Sequence, residues 1–404
     1  MTEFVRIKRV AEVRYGLGQP PRLSLNGIPI IRATNISQGR ITTRNMIHTS
    51  LSDLPTERAP LLSEGEILVV RSGALTGDSA RIPAEWSGSA PGYDLRVTPN
   101  ASIESRYLAY CLLSRPVIDQ MKLASSRAAQ PHLNAEELGD IKIPAVSFDN
   151  QSRIADFLDS VLTKLDDLVN KKRHLVRLLN ERIDSRVLQH VGQSEIVQPE
   201  VGSPTLPIKR ILTKVTRPPI AGSGVITAYR DGQVTERGAR RAEGYTMSAS
   251  TEPSGQQVHI NDVVVHGLDG FAGAIGTAEA SGTCSPVYHV CTPRDGGDPK
   301  FIGRLLRLLA LQGYLGNFAT STRERAVDFR NWDLFSRIPV PAVSNSEQRR
   351  IGEWITQLHP LRTAIERSTT LAAERRHALI TAAVTGQLDV TTASGRNVTE
   401  GVSA

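Results

Sequence analysis

The chain repeats itself once, at an interval near 197 residues, and a duplication of that size constrains everything else. PAVSFDNQSRI (144–154) returns as PAVSNSEQRRI (341–351), an offset of 197. EILVV (66–70) returns as DVVVH (262–266) at an offset of 196, and Gly77 matches Gly273 at that same offset. Ser125, Ser126 and Arg127 match Ser321, Thr322 and Arg323, and Leu138 matches Leu334. Near the two starts, Ile7, Lys8 and Arg9 match Ile208, Lys209 and Arg210 at an offset of 201. The interval is far longer than the unit of a stacked-repeat protein, so the sequence reads as one module present twice.

Each copy has the same internal plan. Its first part, about 1–145 and 205–340, carries short β-branched runs bounded by turn residues: GIPIIRATNI (27–36), GEILVV (65–70), GVITAY (224–229) and DVVVHG (262–267). Such runs predict strands of a β-rich domain. One shorter helix is predicted inside each, over 105–121 and 299–315.

The second part is different. From Asn150 to about His190 there is neither Gly nor Pro. Ile154, Leu158, Val161, Leu165, Leu168, Lys172, Leu175 and Leu179 follow 4-3-4-3 spacing, the pattern of a coiled-coil seam. Ser147, Asp149 and Asn150 are candidate caps, with Asp156 and Asp159 toward the positive end of the helix dipole. Lys171, Lys172 and Arg173 interrupt the stripe near its middle. A rod of this length extends roughly 60 Å. The second copy, from Glu347 to about Gly386, places Ile351, Ile355, Leu358, Ile365, Ala372 and Leu379 on the matching seam. It is weaker, with Arg362, Thr369 and Arg376 at seam positions, and Pro360 is expected to kink or break it. An apolar stripe this long needs a partner, and the chain offers one of the same kind. Two antiparallel rods would hold two globular parts a fixed distance apart. The stretch 192–207 reads as a linker and 389–404 as a disordered tail.

Composition narrows the class. The 404 residues are 40% apolar, enough for a real core. A formal charge of +7 suits an anionic partner such as nucleic acid. No apolar run reaches the roughly 18–20 residues of a membrane helix, and MTEFVRIKRV lacks the apolar core of a signal peptide. Cys111, Cys284 and Cys291, without CxxC spacing, fit buried thiols in a reducing cytoplasm. Catalytic signatures are missing: no GxxxxGK[ST], no HExxH, no GxSxG, and no Asn-Pro-Pro-aromatic motif of amino-methyltransferases. Gly270, Gly273 and Gly276 read as a tight turn rather than a dinucleotide loop, and His259 and His266 as unrelated polar positions. A binding protein is favoured over an enzyme, with no catalytic and no metal-ligating residue assigned.

Arginine-rich loops are the candidate DNA contacts: Arg71; Arg127 and Gln130, with His132 and Asn134; Arg230, Arg237, Arg240 and Arg241; and Arg323, Arg325 and Arg330. Arg bridges guanine O6 and N7, and Gln or Asn bridges adenine N6 and N7. Positions shared by the two copies are expected to serve scaffold or phosphate contacts. Differing positions, such as Arg71 against Gly267, are expected to read different bases.

The sequence resembles the specificity subunit of type I restriction–modification systems. The resemblance runs over roughly 1–390 and is carried by IKIPAVSFDNQSRI (141–154), RIPVPAVSNSEQRRIGEWI (337–355) and ERRHALITAAVTGQL (374–388). The second copy keeps the family's acid-Gln-x-x-Ile opening as Glu347, Gln348 and Ile351. The first departs from it, with Asn150 where Glu is usual and Ala145 where the second Pro would fall. The stretches 28–41 and 64–78 resemble the family's target-recognition domains.

The resemblance implies an α+β fold with two β-rich target-recognition domains, two long antiparallel coiled-coil helices and an internal pseudo-two-fold. The corresponding boundaries are 1–148 and 207–344 for the recognition domains, 149–191 and 345–388 for the helices, 192–206 for the linker and 389–404 for the tail. It implies a cytoplasmic, non-catalytic subunit that reads a bipartite target in double-stranded DNA, with half-site centres about 34 Å apart. Two methyltransferase (modification) subunits carrying S-adenosylmethionine would dock on the helices, and restriction subunits would supply ATP- and Mg-dependent translocation and cleavage. This chain would hold no cofactor. The alternatives are a coiled-coil scaffold that does not touch nucleic acid and the recognition part of a fused methyltransferase.

Overall fold

The computed structural model describes residues 3–55, 60–126, 131–191, 204–240, 255–318 and 328–390. It divides into two units, Met1–Lys171 with Ser368–Ala404, and Lys172–Arg367. Two long helices, Phe148–His190 and Asn345–Val384, each run through both divisions of the chain.

The duplication is explicit in strand order. The first unit has an antiparallel sheet ordered Ala11–Tyr15, Leu95–Pro99, Ile67–Val69, Ser79–Arg81. The second unit has Leu212–Lys214, Tyr288–Pro293, Val263–His266, Ile275–Thr277 in the same order and sense. In both, a separate strand pair joins the start of the module to the stretch before the long helix: Phe4–Arg6 with Lys142–Pro144, and Thr205–Pro207 with Pro339–Pro341. The Val-rich strands Ile67–Val69 and Val263–His266 are central and buried, as runs of consecutive apolar residues require. Gly77 and Gly273 both take φ of +93°, a left-handed turn open to glycine, so the GxxGxxG stretch is a turn element. All three cysteines are free and buried.

The predicted helix over 105–121 is two helices, Ser105–Leu113 and Arg115–Ser125. Ser114 is extended between them, and Pro116, which lacks an N–H, sits in the first turn of the second. Its counterpart in the second unit, Pro299–Leu311, is continuous. Both long helices start on a serine cap: Ser147 Oγ accepts from Asn150 N at 3.4 Å and Ser344 Oγ from Glu347 N at 3.3 Å. Pro360 does not break the second helix, which runs unbroken to Val384. The missing N–H costs one rung, and Ile351 before it and Ile365 after it are both buried.

In the first unit, Ile154, Leu158 and Leu162 of the first long helix share one core with Ile380, Ala383 and Val384 of the second. In the second unit, Val187 near the end of the first helix shares a core with Ile351 and Ile355 near the start of the second. Each unit therefore pairs the helices antiparallel. On the second helix the inward side keeps the heptad: Ile351, Ile365 and Leu379 are buried, and Ile355 and Leu358 half-buried. On the first helix it does not. Ile154 and Leu158 are buried and Val161, Leu165 and Leu179 half-buried, but Leu168 and Leu175 are 46% and 44% exposed. The inward stripe instead runs through Leu162, Val169, Val176, Ile183 and Val187. The shift enters at the 4-residue step from Leu158 to Leu162, after which the stripe repeats every seven residues to Ile183.

Candidate nucleic-acid interface

Three strand ends meet at one rim of the first unit's sheet. Tyr15 closes Ala11–Tyr15, Arg71 follows Ile67–Val69 by two residues, and Tyr93 precedes Leu95–Pro99 by two. The register, Leu95 opposite both Tyr15 and Val69, brings them together. The Arg71 guanidinium lies 4.7 Å from the Tyr15 ring centroid and 4.1 Å from that of Tyr93. Both rings are about half exposed. Arg71 Nη2 lies 3.0 Å from His132 Nε2, which must accept because arginine only donates. Arg71 Nε is buried without a hydrogen-bond partner.

The backbone under this side chain is fixed on both sides. Arg71 N donates to Asp94 Oδ1 at 3.3 Å, and Arg71 O accepts from Leu133 N at 2.8 Å. Burial pushes the Asp94 carboxyl up to about 6, against the opposing pull of the Arg71 and Ala33 amides. Two aromatic rings and a histidine thus set the guanidinium plane in advance. A planar fork held this way matches the paired acceptors on a guanine edge, and the tyrosines supply stacking surface.

The second unit builds the same rim differently. Gly267 stands at the place of Arg71, and its carbonyl accepts from Phe329 N at 2.8 Å, as Arg71 O does from Leu133. A Cβ on Gly267 would lie 2.5 Å from the Val287 carbonyl oxygen and 2.8 Å from Arg330 Cγ. No side chain fits, and Arg330 covers the position. Arg330 is forked onto Asp328, with Nε to Oδ2 at 2.8 Å and Nη2 to Oδ2 at 2.6 Å. That pairing holds the Asp328 carboxyl below its usual range. Nearby, Arg230 pairs with Asp269 at 2.9 Å. His266 Nδ1 accepts from the amides of Leu268 and Asp269 at 3.1 Å each, and burial lowers its pKa.

Arg237 opens the short helix Arg237–Arg240 of the second unit, and its Nε donates to Thr227 Oγ1 at 3.2 Å. The Arg240 side chain, and Arg127, Gln130, Arg241, Arg323 and Arg325 altogether, lie outside the described residues. Tyr15 and Tyr93 were not singled out in the sequence. They are 56 and 22 residues from Arg71, and only the sheet register unites them. An exposed tyrosine at a strand end was the available signal. Among the described residues no group of three or more His, Cys, Asp or Glu is placed to hold a metal, and no helix is long and apolar enough to cross a membrane.

Residues 2–177 match the family model of the type I restriction modification DNA specificity domain. A stretch of 156 residues is 28% identical to the type I restriction enzyme StySPI specificity subunit of Salmonella potsdam, covering 38% of this chain and 33% of that protein. The match thus spans about a third of the curated relative's length. Among solved structures, the chain is similar to one from work on complex assembly and conformational transition of the type I R-M system. There the TM-score is 0.50 and the identity 14%, over 96% of this chain and 98% of the other. It is also similar to the HsdS subunit from Thermoanaerobacter tengcongensis, with a TM-score of 0.39 and 14% identity over 96% and 97%. Residues 2–177 are thus similar to the type I restriction modification DNA specificity domain, and the second module repeats the strand order, caps and long helix of the first.

Proposed function

We propose that this chain is the DNA-specificity subunit of a type I restriction–modification complex, each unit reading one half of a bipartite duplex target. The observation that carries the reading is the duplication: one copy matches a DNA specificity domain, and the other keeps its scaffold while changing the rim residues. In the first unit Arg71, oriented by Tyr15, Tyr93 and His132, meets a guanine edge. In the second unit Arg330, Arg230 and Arg237 are the rim cations that meet phosphates or bases, and Arg127, Gln130, Arg240, Arg241, Arg323 and Arg325 are further contacts. Two modification subunits dock on the helices and bring S-adenosylmethionine, and restriction subunits bring ATP and Mg. This chain selects the site in the cytoplasm and leaves the chemistry to them.

The test is selection of bound duplexes from a random library by the chain together with its modification subunits. Two conserved blocks with a fixed gap are expected, with affinity falling as salt rises because phosphate contacts release counterions. One continuous block, or binding indifferent to salt, would contradict the proposal.

A further inference from the structure

The two units carry equivalent cavities, of about 420 Å³ in the first and about 340 Å³ in the second. Their equivalence follows from matching contacts. Glu104 caps Ser105–Leu113 and donates its N–H to Gln151 Oε1 at 2.8 Å, and Asp298 caps Pro299–Leu311 and donates to Gln348 Oε1 at 3.2 Å. Two residues further on, Arg106 corresponds to Lys300. Eight residues past each glutamine, Asp159 corresponds to Thr356. Arg106 Nη1 donates to Asp159 Oδ2 at 2.8 Å, and Lys300 Nζ to Thr356 Oγ1 at 2.8 Å.

The charge balance differs. In the first cavity every arginine has a carboxylate: Arg106 has Glu104, Asp156 and Asp159, Arg40 and Arg376 share Asp166, and Arg81 has Glu64. In the second, threonines 356 and 363 replace Asp159 and Asp166. Arg304 keeps Asp184 and Arg362 keeps Glu366, but among the described residues Lys300 and Arg307 have no ion pair. Arg307 Nε is buried without a hydrogen-bond partner, and Nη2 reaches only the Arg230 carbonyl at 3.3 Å. Burial is the largest influence on the Arg307 pKa and lowers it, with the charges of Arg304 and Arg362 acting the same way and those of Asp184 and Asp231 opposing. Ile183, Ile260, Ile275 and Ile355 supply apolar wall, and the one carboxylate in the lining among the described residues, Glu279, lies 3.3 Å from His359 Nε2.

We propose that the second unit's cavity binds the phosphate of a small phosphorylated molecule, with Lys300 and Arg307 as its ligands. Two unpaired cations match a dianion, the volume is in the range of small-molecule sites, and the isoleucines receive an organic body. The first unit does not bind it, because Asp159 and Asp166 already supply the negative charge. This inference is independent of the DNA reading.

The test uses the full chain, with inorganic phosphate and AMP as separate probes, read by calorimetry and by shift of the unfolding midpoint. AMP is expected to bind wild type. Thr356→Asp, which installs the first unit's internal carboxylate, and Lys300→Ala are each expected to weaken binding about tenfold or more, the loss expected when a charge-assisted hydrogen bond goes. Arg307→Lys keeps the charge if loss of the guanidinium impairs folding, and is expected to retain part of the affinity. Asp159→Thr in the first unit is expected to leave the second unit's binding unchanged. Equal binding of phosphate and AMP supports a free-phosphate site, and tighter AMP binding supports a nucleotide-like ligand. No binding of either probe, undiminished binding by Thr356→Asp, or stabilisation by duplex DNA alone would overturn the proposal.

Discussion

Glu104 and Asp298 head the same helix in the two units, each accepting from an amide three residues on and each tied to a long-helix glutamine. Elsewhere the units part. Gly267 stands at the place of Arg71, and Thr356 and Thr363 at the places of Asp159 and Asp166. Caps, strand register and buried strands survived duplication because a lost cap or a core cavity costs on the order of 1–5 kcal/mol, much of a domain's stability. Rim and cavity residues carry no such penalty when they change together, so they are where two copies of one scaffold acquire different ligands. The comparison teaches that the differences between copies mark ligand-facing surface more sharply than the similarities do.

The comparison breaks first at the helices. Leu158 is fully buried between the paired helices and the first unit's core, whereas Leu168 on the same helix is exposed. Leu158→Ala is expected to cost about 2–5 kcal/mol in chemical unfolding and Leu168→Ala no more than about 0.5 kcal/mol. Equal effects would restore the strict heptad. Next comes Asp166, which pairs with Arg40 and, at 3.0 Å, with the buried Arg376. Asp166→Ala is expected to destabilise by about 3 kcal/mol because it strands Arg376, while Thr363→Ala at the equivalent position stays within about 0.5 kcal/mol. A double-mutant cycle with Arg376→Met checks this, since adding that substitution should recover part of the loss.

At the rim, Arg71→Ala is expected to cost about 1–3 kcal/mol in binding the preferred duplex and to relax one base position of one half-site. The smallest effect is in pH. With the Asp94 carboxyl raised to about 6, the folded chain holds a proton between about pH 4 and 6 that the unfolded chain has released. Stability therefore falls as pH rises through that window and stays lower above it. Asp94→Asn is expected to flatten this fall, measured as the unfolding midpoint at pH 4 and pH 7. By register the second unit has Tyr288 at this place, so no matching fall is expected there. A pH profile unchanged by Asp94→Asn would remove Asp94 from the rim's support.

The duplication, the β-rich and helical parts and the Ser147 cap were legible in the sequence because they depend on short-range pattern. The helix stripe was ambiguous because apolar residues fill adjacent positions: Val161 and Leu162, Leu168 and Val169, Leu175 and Val176. Continuing the heptad would have met Arg182 and Arg186, whereas the observed stripe meets Ile183 and Val187, and that was the decisive signal. Arg71 was visible as a cation after a strand. Its tyrosine stack was not, because sheet pairing rather than sequence proximity assembles it. The charge imbalance of the second cavity needed the contacts of Lys300 and Arg307, which no spacing rule yields.

The most direct measurement is methylation mapping of a genome in cells expressing this chain with its modification subunits, wild type against Arg71→Ala. A two-part motif with a constant gap is expected, and the substitution should loosen a single G·C position in one part while leaving the other part untouched. A one-part motif, or loosening of both parts together, would contradict two units that read separately.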